Sequence, residues 1–317
     1  IRELPVEAWT NVGRDKAFGR AVHSIRGEFD RVIGFNKLPF LDIYYAGDRS
    51  FAVIKKWRYQ QLNPRYRAQM LLERACFAPR STTRIIVLAR EQRDEYRRVW
   101  STPAGRFRLV PPNLDPRRRR PETRSDGTRS RMRREFAVGE GQIMWLSVGT
   151  RIHTKGIDRS IAALGSMPDT VLAIAGIEQG SRAARSIERM ARNGGVAERL
   201  RMLGPREDIV EVMAAADLLV HPARIETTGT VILEAIANGL PVVATTVCGF
   251  ACHVRDADAG IVLSEPYRQK EYEAALDTAK SPLLRERWER AGIDYGSDPQ
   301  LSSGHEISAD LVSGELW

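Results

Sequence analysis

The stretch AAADLLVHPARIETTGTVILE, residues 214–234, contains an apolar run, a loop and the start of a second apolar segment. The run at 218–220 predicts a buried strand. A helix is expected to begin near Gly229 and to end at Gly239, because glycine commonly follows the last residue of a helix and Pro241 cannot continue it. Residues 214–234 therefore predict a strand–loop–helix unit.

Two glutamates lie in this unit, Glu226 in the loop and Glu234 more than one turn into the helix. A strand of a parallel sheet delivers its next loop to the carboxyl edge, where open α/β sheets bind ligands. The unpaired N–H groups at the start of the helix favour phosphate at the same place. The pair is consistent with a site for a charged sugar derivative, although strand–loop–helix units also carry two glutamates by chance.

The rest of the chain extends this pattern. Apolar strands alternate with helices through the second half, and this alternation predicts a parallel, doubly wound sheet. Its strands are expected near residues 143–148, 171–175, 199–203, 218–220, 241–244 and 260–263. The first 112 residues form a second α/β unit, with strands expected at 31–35, 41–45 and 84–89 and a helix at about 64–77.

Composition and charge restrict the protein class. Apolar residues make up 43% of the 317 residues and charged residues 28%, which is typical of a globular protein. No run of 18 apolar residues is present. Three cysteines without metal-ligand spacing are expected to be reduced thiols. The net charge of +9 is concentrated in two regions, residues 51–77 and 117–134.

Several stretches together resemble the retaining glycosyltransferases of family 4, which have the GT-B fold. The matching stretches are 32–37, 42–46, 155–160, 214–223 and 239–249. Within that family the resemblance is to the α-1,3-glucosyltransferases that add the first glucose to the inner-core heptose of lipopolysaccharide.

The resemblance implies two Rossmann-like doubly wound domains that face a cleft. The expected acceptor-side domain covers residues 1–112, with 295–317 crossing back to it. A basic linker at 113–142 and a nucleotide-sugar-binding domain at 143–294 complete this division. No first strand, glycine-rich loop or helix is visible before the strand at 31–35, so the N-terminal domain is expected to be truncated by roughly fifty residues.

Lys155 lies in the loop after the 143–148 strand, near Gly149, whose lack of a side chain lets the backbone approach phosphates. No Asp-x-Asp element follows a strand, so protein cations are expected to stabilise the leaving diphosphate without a metal or other cofactor. In the family the matching lysine binds the diphosphate, often beside an arginine. Thr154 occupies that preceding position here, which leaves Arg151 or Arg206 as further candidates.

The resemblance assigns roles to the other site residues. Glu226 is expected to face the donor sugar and, with Lys155, to be catalytic. The remaining donor-binding candidates are Gly149, Arg206, Gly229, Thr230, Val231 and Glu234, of which Glu234 would hold the ribose. His221 is expected to be a packed, hydrogen-bonded histidine, and His153 to be solvated.

Two further surfaces are predicted. Asn36 and Lys37 at the end of a first-domain strand are candidates for contact with the acceptor, and an exposed surface loop without that role is the alternative. Cations and aromatic residues alternate in the 51–77 segment, a pattern that suits an anionic membrane surface. Its membrane-surface candidates are Lys55, Lys56, Trp57, Arg58, Arg65 and Arg67. The arginines at 117–134 either add to that surface or form a loop without a partner.

The predicted function is retaining transfer of a hexose, with glucose from UDP-glucose as the expected donor, onto lipopolysaccharide core heptose. The enzyme is expected in the cytoplasm, peripherally bound to the inner face of the inner membrane. Galactose and N-acetylated hexoses remain open as donor sugars. One alternative is a truncated or inactive protein that binds the donor, and another is a nucleic-acid binder, suggested by the pI of about 9.7 but without a recognised motif.

Overall fold

The chain forms two compact units in the computed structural model, which describes residues 3–54, 62–314 and 317. Unit 1 consists of Ile1–Pro112 and Ser303–Trp317, and unit 2 of Asn113–Ser302. Each unit contains one parallel β-sheet. Among the described residues, no helix is long and apolar enough to cross a membrane.

Unit 1 contains a four-stranded parallel sheet in the order β1-β2-β3-β4. Its strands are β1 (Ile33–Gly34), β2 (Ile43–Ala46), β3 (Arg84–Val87) and β4 (Phe107–Leu109). Its helices are α1 (Asn11–Ser24), α2 (Phe51–Ile54), α3 (Pro64–Phe77), α4 (Arg90–Trp100) and α14 (Gly304–Ser313). Two hydrophobic clusters, one around Phe77 and Tyr96 and one around Ile43 and Leu311, form its core.

The helix α1 differs from the sequence prediction, which placed no regular element before the first strand. Thr10 caps this helix by accepting a hydrogen bond from the Gly13 backbone N–H at 3.0 Å. Gly13 and Gly19 lower its helix propensity and its apolar residues do not form a clear stripe, so its sequence carries little helical signal. A helix thus precedes β1 in unit 1.

Unit 2 contains a six-stranded parallel sheet in the order β10-β9-β8-β5-β6-β7. The strands are β5 (Ile143–Val148), β6 (Thr170–Ala175), β7 (Leu200–Gly204), β8 (Leu218–His221), β9 (Val242–Thr245) and β10 (Gly260–Leu263). The helices are α5 (Thr128–Glu135), α6 (Ile152–Lys155), α7 (Ile157–Leu164), α8 (Arg182–Asn193), α9 (Ile209–Ala215), α10 (Thr230–Ala237), α11 (Ala251–Asp256), α12 (Gln269–Thr278) and α13 (Pro282–Tyr295). The doubly wound prediction is confirmed, because apolar clusters cover both faces of this sheet.

The chain order of the strands reverses at the centre of this sheet. From β5 the chain builds outward through β6 to β7, and then returns to the other side of β5 with β8. Trp145 and Leu146 of β5 pair with Leu218 and Leu219 of β8. The loops that follow β5 and β8 therefore leave the same edge of the sheet at its topological switch point.

The arginine run packs onto unit 2, which differs from the predicted linker at 113–142. Arg129 and Arg133 both form ion pairs with Asp217, at 2.6 and 3.0 Å. Asp217 also accepts a hydrogen bond from the Met144 backbone N–H at 2.7 Å. Because the Asp217 carboxylate is almost fully buried, it requires this cationic partnership. The run is therefore a structural part of unit 2 and not a loop without a partner.

Substitution of Arg133 by Ala is expected to lower the free energy of unfolding by about 3 kcal/mol, because it removes one partner of a buried ion pair. The matched control is Arg117→Ala in the same run, since the Arg117 side chain is 90% exposed and contacts only Asp115 among the described ion pairs. Its effect should be much smaller, because substitutions of exposed surface residues rarely change stability. Urea unfolding measures both, and equal effects would contradict the structural role of Arg133.

Candidate functional site

Two loops meet at the switch point of unit 2. The Lys155 loop, residues 149–156, follows β5 and contains the one-turn helix α6, and the Glu226 loop, residues 222–229, follows β8. Since β5 and β8 are paired neighbours in a parallel sheet, their carboxyl ends place both loops at one edge. The site predicted from residues distant in sequence is thus brought together by the sheet.

Glycine is required at two positions of the Lys155 loop. Gly149 has a φ of 153°, and a Cβ atom there would lie 2.7 Å from Lys155 Cγ. Gly156 has a φ of 73°, and a Cβ atom there would lie 2.0 Å from the Pro222 carbonyl oxygen. The first glycine leaves room for the Lys155 side chain, and the second lets the two loops approach closely.

Lys155 and Glu226 form an ion pair between the two loops. The Lys155 Nζ donates a hydrogen bond to Glu226 Oε2, and His221 Nε2 lies 3.1 Å from the same oxygen. The Glu226 side chain is 12% exposed and the His221 side chain is fully buried. The expectation of a packed, hydrogen-bonded histidine at position 221 is confirmed.

The surroundings of Glu226 hold it in the ionised form. Burial alone would raise the pKa of this carboxyl, but the hydrogen bonds from His221 and Lys155 and the charge of Lys155 outweigh burial. They lower the pKa of Glu226 from 4.5 to about 2. At neutral pH the site therefore presents a carboxylate, which can accept hydrogen bonds or stabilise positive charge but has no proton to donate.

The start of α10 completes the edge of the site. Gly229 precedes the helix with a φ of 86°, a left-handed conformation that favours glycine. The N–H groups of Thr230 and Val231 belong to the first turn, where a helix has no internal acceptor for them. The Thr228 carbonyl accepts a hydrogen bond from the Phe250 N–H at 2.7 Å, which fixes the loop that leads into α10. This helix start can accept an anion.

Glu234 and Arg206, two predicted donor ligands, already have partners. Glu234 lies in α10 with 8% of its surface exposed, and its Oε1 accepts a hydrogen bond from Arg118 Nη1 at 2.8 Å. Arg206 pairs with Asp208 at 2.6 Å and with Glu135 at 3.2 Å. Their roles toward ribose and diphosphate stay predictions. The charge of Arg206 is balanced locally, whereas the Arg151 side chain is exposed.

Comparison with known proteins identifies the family of the chain. The sequence model described as "Glycosyl transferases group 1" matches residues 128–294. The chain is 36% identical, over an alignment of 326 positions, to "Lipopolysaccharide glucosyltransferase WaaG" of Escherichia coli (strain K12), and the alignment covers 99% of this chain and 86% of that protein.

The chain belongs to the glycosyl transferases group 1 family. It is a glycosyltransferase, and its two parallel α/β sheets are those of the GT-B fold. A crystal structure of WaaG, described as a glycosyltransferase involved in lipopolysaccharide biosynthesis, superposes with a TM-score of 0.89 at 35% identity, covering 99% of this chain and 86% of that one. The fold is also that of Anabaena Alr3699/HepE, solved in complex with UDP and glucose, with a TM-score of 0.71 at 18% identity and coverage of 96% and 76%.

The acceptor-side predictions in unit 1 of this glycosyltransferase have different outcomes. Asn36 is exposed, so its contact with an acceptor stays a prediction. Lys37 is only 7% exposed, and its Nζ donates to Glu73 and Asp48, both at 2.9 Å. The expectation that Lys37 is available to an acceptor is therefore wrong, because the fully buried Glu73 in α3 requires a cation beside it.

The membrane-surface prediction falls partly outside the described residues. Lys55, Lys56, Trp57 and Arg58 lie in the segment 55–61, which the structure does not describe. Arg65 and Arg67 are both exposed in the first turn of α3. Their contact with a membrane stays a prediction.

The cysteines, one exposed histidine and one group of potential metal ligands are the remaining candidate sites. Cys76, Cys248 and Cys252 are not joined by disulfide bonds. His153, expected to be solvated, has a 78% exposed side chain, and its Nδ1 lies 3.5 Å from Asp158. One group of potential metal ligands, Cys252, His253 and Asp256 of α11, has ligand atoms within 4.8 Å of one another. That transfer needs no metal stays a prediction.

Sequence reasoning did not identify Arg224, Asp158 and Arg159 as parts of the site. Arg224 pairs with Asp158 and contacts the Lys155 loop, and Arg159 contacts the Glu226 loop. Arg224 and Asp158 are 66 positions apart and belong to the segments that follow the paired strands β8 and β5. No local spacing in the sequence marks such contacts.

The depressed pKa of Glu226 predicts a pH effect on stability. Ionised Glu226 stabilises the fold above its ordinary pKa of 4.5, and this contribution is lost as the pH falls toward the folded-state value of about 2. As the pH falls from 4.5 to about 2, wild type should therefore lose up to about 3 kcal/mol of stability relative to Glu226→Gln. Urea unfolding at several pH values measures it.

The matched control is Glu271→Gln, because Glu271 is 49% exposed and forms only a surface pair with Arg268 among the described ion pairs. Its difference from wild type should change by less than about 1 kcal/mol over the same range. A pH-independent difference for Glu226→Gln would contradict the electrostatic account of Glu226.

Proposed function

We propose that this glycosyltransferase transfers glucose from UDP-glucose to the inner-core heptose of lipopolysaccharide with retention of configuration. The observation that carries the proposal is the Lys155–Glu226 pair beside the start of α10, at the sheet edge where nucleotides bind in doubly wound folds. The name of the similar E. coli protein, a lipopolysaccharide glucosyltransferase, supports the sugar and the acceptor class. The UDP and glucose in the Anabaena structure support the donor.

Lys155 is proposed to bind the diphosphate of the donor. Its ammonium group has three donors, so it can keep its bond to Glu226 and still donate to a phosphate oxygen. The N–H groups of Gly229, Thr230 and Val231 are proposed to add their partial positive charge at the same place. Together they stabilise the negative charge that develops on the leaving UDP, which is the largest requirement of this reaction. We propose that this occurs without a metal or other cofactor.

Glu226 is proposed to face the donor sugar. As a carboxylate of low pKa it can accept hydrogen bonds from sugar hydroxyls and stabilise the positive charge that develops on the reacting sugar ring. Retention is then proposed to occur without a protein nucleophile, with the leaving phosphate assisting attack from the same face. Glu234 is proposed to hold the ribose, for which its carboxylate must be shared with Arg118 or released from it.

The location proposed for the reaction is the cytoplasmic face of the inner membrane. Exposed Arg65 and Arg67 belong to the 51–77 segment, whose cations and aromatic residues suit an anionic surface. A nucleic-acid-binding function is less well supported, since Arg118, Arg120, Arg129 and Arg133 of the arginine run form ion pairs with acidic residues of unit 2. A protein that binds the donor without transferring it is the second candidate.

The test is UDP release on incubation with UDP-glucose and a heptose-terminated lipopolysaccharide core. Wild type should release UDP, and Lys155→Ala should reduce kcat/KM by about a hundredfold or more, because it removes the cation at the leaving group. The matched control is Lys280→Ala, which removes a lysine paired only with the exposed Asp277 among the described ion pairs and should leave kcat/KM unchanged.

Binding and transfer are separated by calorimetry with UDP. Binding of UDP without turnover by wild type would favour the donor-binding candidate. Equal activity of wild type and Lys155→Ala would contradict the role proposed for Lys155.

A further inference from the structure

Arg224 connects the Lys155 loop to the Glu226 loop at several points. Its backbone N–H donates to the Thr154 carbonyl at 2.9 Å, and its Nη1 donates to the His153 carbonyl at 2.9 Å. Its guanidinium also forms a two-bond pair with the Asp158 carboxylate, at 2.7 and 2.8 Å. The Arg224 side chain thus binds His153 and Asp158, which lie before and after Lys155 in the sequence.

The sequence positions of these groups give the contacts their importance. Arg224 lies two residues before Glu226, and Asp158 lies three residues after Lys155. The two-bond geometry of an arginine with a carboxylate fixes orientation as well as distance. The Arg224–Asp158 pair therefore restricts how far the chain at Lys155 can move from the chain at Glu226.

Arg159, next to Asp158 in α7, makes a second connection to the Glu226 loop. Its Nη1 donates to the Pro222 carbonyl at 2.9 Å, and its guanidinium lies 3.5 Å from the centre of the Tyr267 ring. Gly156 permits the approach, because any Cβ there would collide with the Pro222 carbonyl. The loops are thus held together by two arginines and one glycine, and Arg224 makes the larger share of the polar contacts.

We propose that Arg224, through Asp158, is a positioning residue that sets the placement of Lys155 for the diphosphate of the donor. This inference rests on the proposed function. Three of the five N–H donors of the Arg224 guanidinium are given to Asp158 and to the His153 carbonyl, and Asp158 balances its charge, so the proposal assigns Arg224 to positioning Lys155. It acts by holding Lys155 at the site before the donor arrives, which lowers the ordering cost of binding.

The prediction separates diphosphate binding from nucleoside binding. If Arg224 positions Lys155, then loss of Arg224 weakens the binding of UDP but hardly affects uridine, which has no phosphate for Lys155 to contact. A general loss of fold would weaken both ligands alike.

The experiment is calorimetry with UDP and an NMR titration with uridine, on wild type, Arg224→Ala, Asp158→Asn and the double variant. Each single variant should weaken UDP binding about tenfold, and the double variant should be no weaker than the singles, because both remove the same interaction. Uridine affinity should change by less than about twofold. Asp158→Asn keeps the shape of the side chain, so the test remains available if Arg224→Ala does not fold.

The matched control is Arg287→Ala, which removes the exposed Arg287–Asp258 pair of the same unit and should bind UDP as wild type does. The proposal would be overturned if both single variants bound UDP as tightly as wild type does. A loss in Arg224→Ala without a loss in Asp158→Asn would also overturn it, since it would indicate direct contact of Arg224 with the phosphates. Additive losses of UDP affinity in the double variant would also overturn the proposal, because they would show that Arg224 and Asp158 act independently. Failure of wild type to bind UDP would instead contradict the proposed function itself.

Discussion

The ion pair between Lys155 and Glu226 is the interaction on which the rest of the site depends. It joins a cation suited to a diphosphate with a carboxylate suited to a sugar, and both belong to loops that leave adjacent strands. Burial alone would favour the neutral form of Glu226, but Lys155 and His221 keep this carboxyl ionised. Lys155 therefore helps to keep Glu226 ionised before any ligand arrives, and such preorganised charge favours catalysis.

The sheet makes this pair possible. Parallel pairing of β5 with β8 brings residues 71 positions apart to one edge, at the point where the strand order reverses. Backbone conformations that favour glycine at positions 149, 156 and 229 then allow the loops to approach each other and α10 to begin there. Arg224 and Arg159 hold the loops in contact. The chemistry of the site is thus a consequence of strand order, of three glycines and of two arginines.

The sequence predicted most of unit 2 because its signals are local. Mostly apolar segments predicted the ends of all six strands to within one residue, Gly229 directly precedes α10, and Gly239 lies two residues beyond its last residue. The contacts that it did not predict are long-range and polar. Lys37 read as an exposed loop lysine, but it is the counter-ion of Glu73, 36 positions away in a buried environment.

The arginine run shows the same limit of local patterns. Nine arginines in eighteen residues resemble a solvated or anion-binding segment, yet Arg129 and Arg133 share the buried Asp217 of unit 2. Charge density in a sequence does not identify the partner of a charge, because a buried acid at a distant position can require several cations. Helix α1 was missed for the opposite reason, since its two glycines and weak apolar pattern give little local signal.

The most direct test of the account is a crystal structure of the protein with bound UDP. In that structure Lys155 Nζ should lie within about 3 Å of a diphosphate oxygen, a normal hydrogen-bond distance, and the backbone N–H groups at the start of α10 should face the same diphosphate. A structure in which UDP binds elsewhere, or in which its diphosphate does not contact Lys155, would contradict the account.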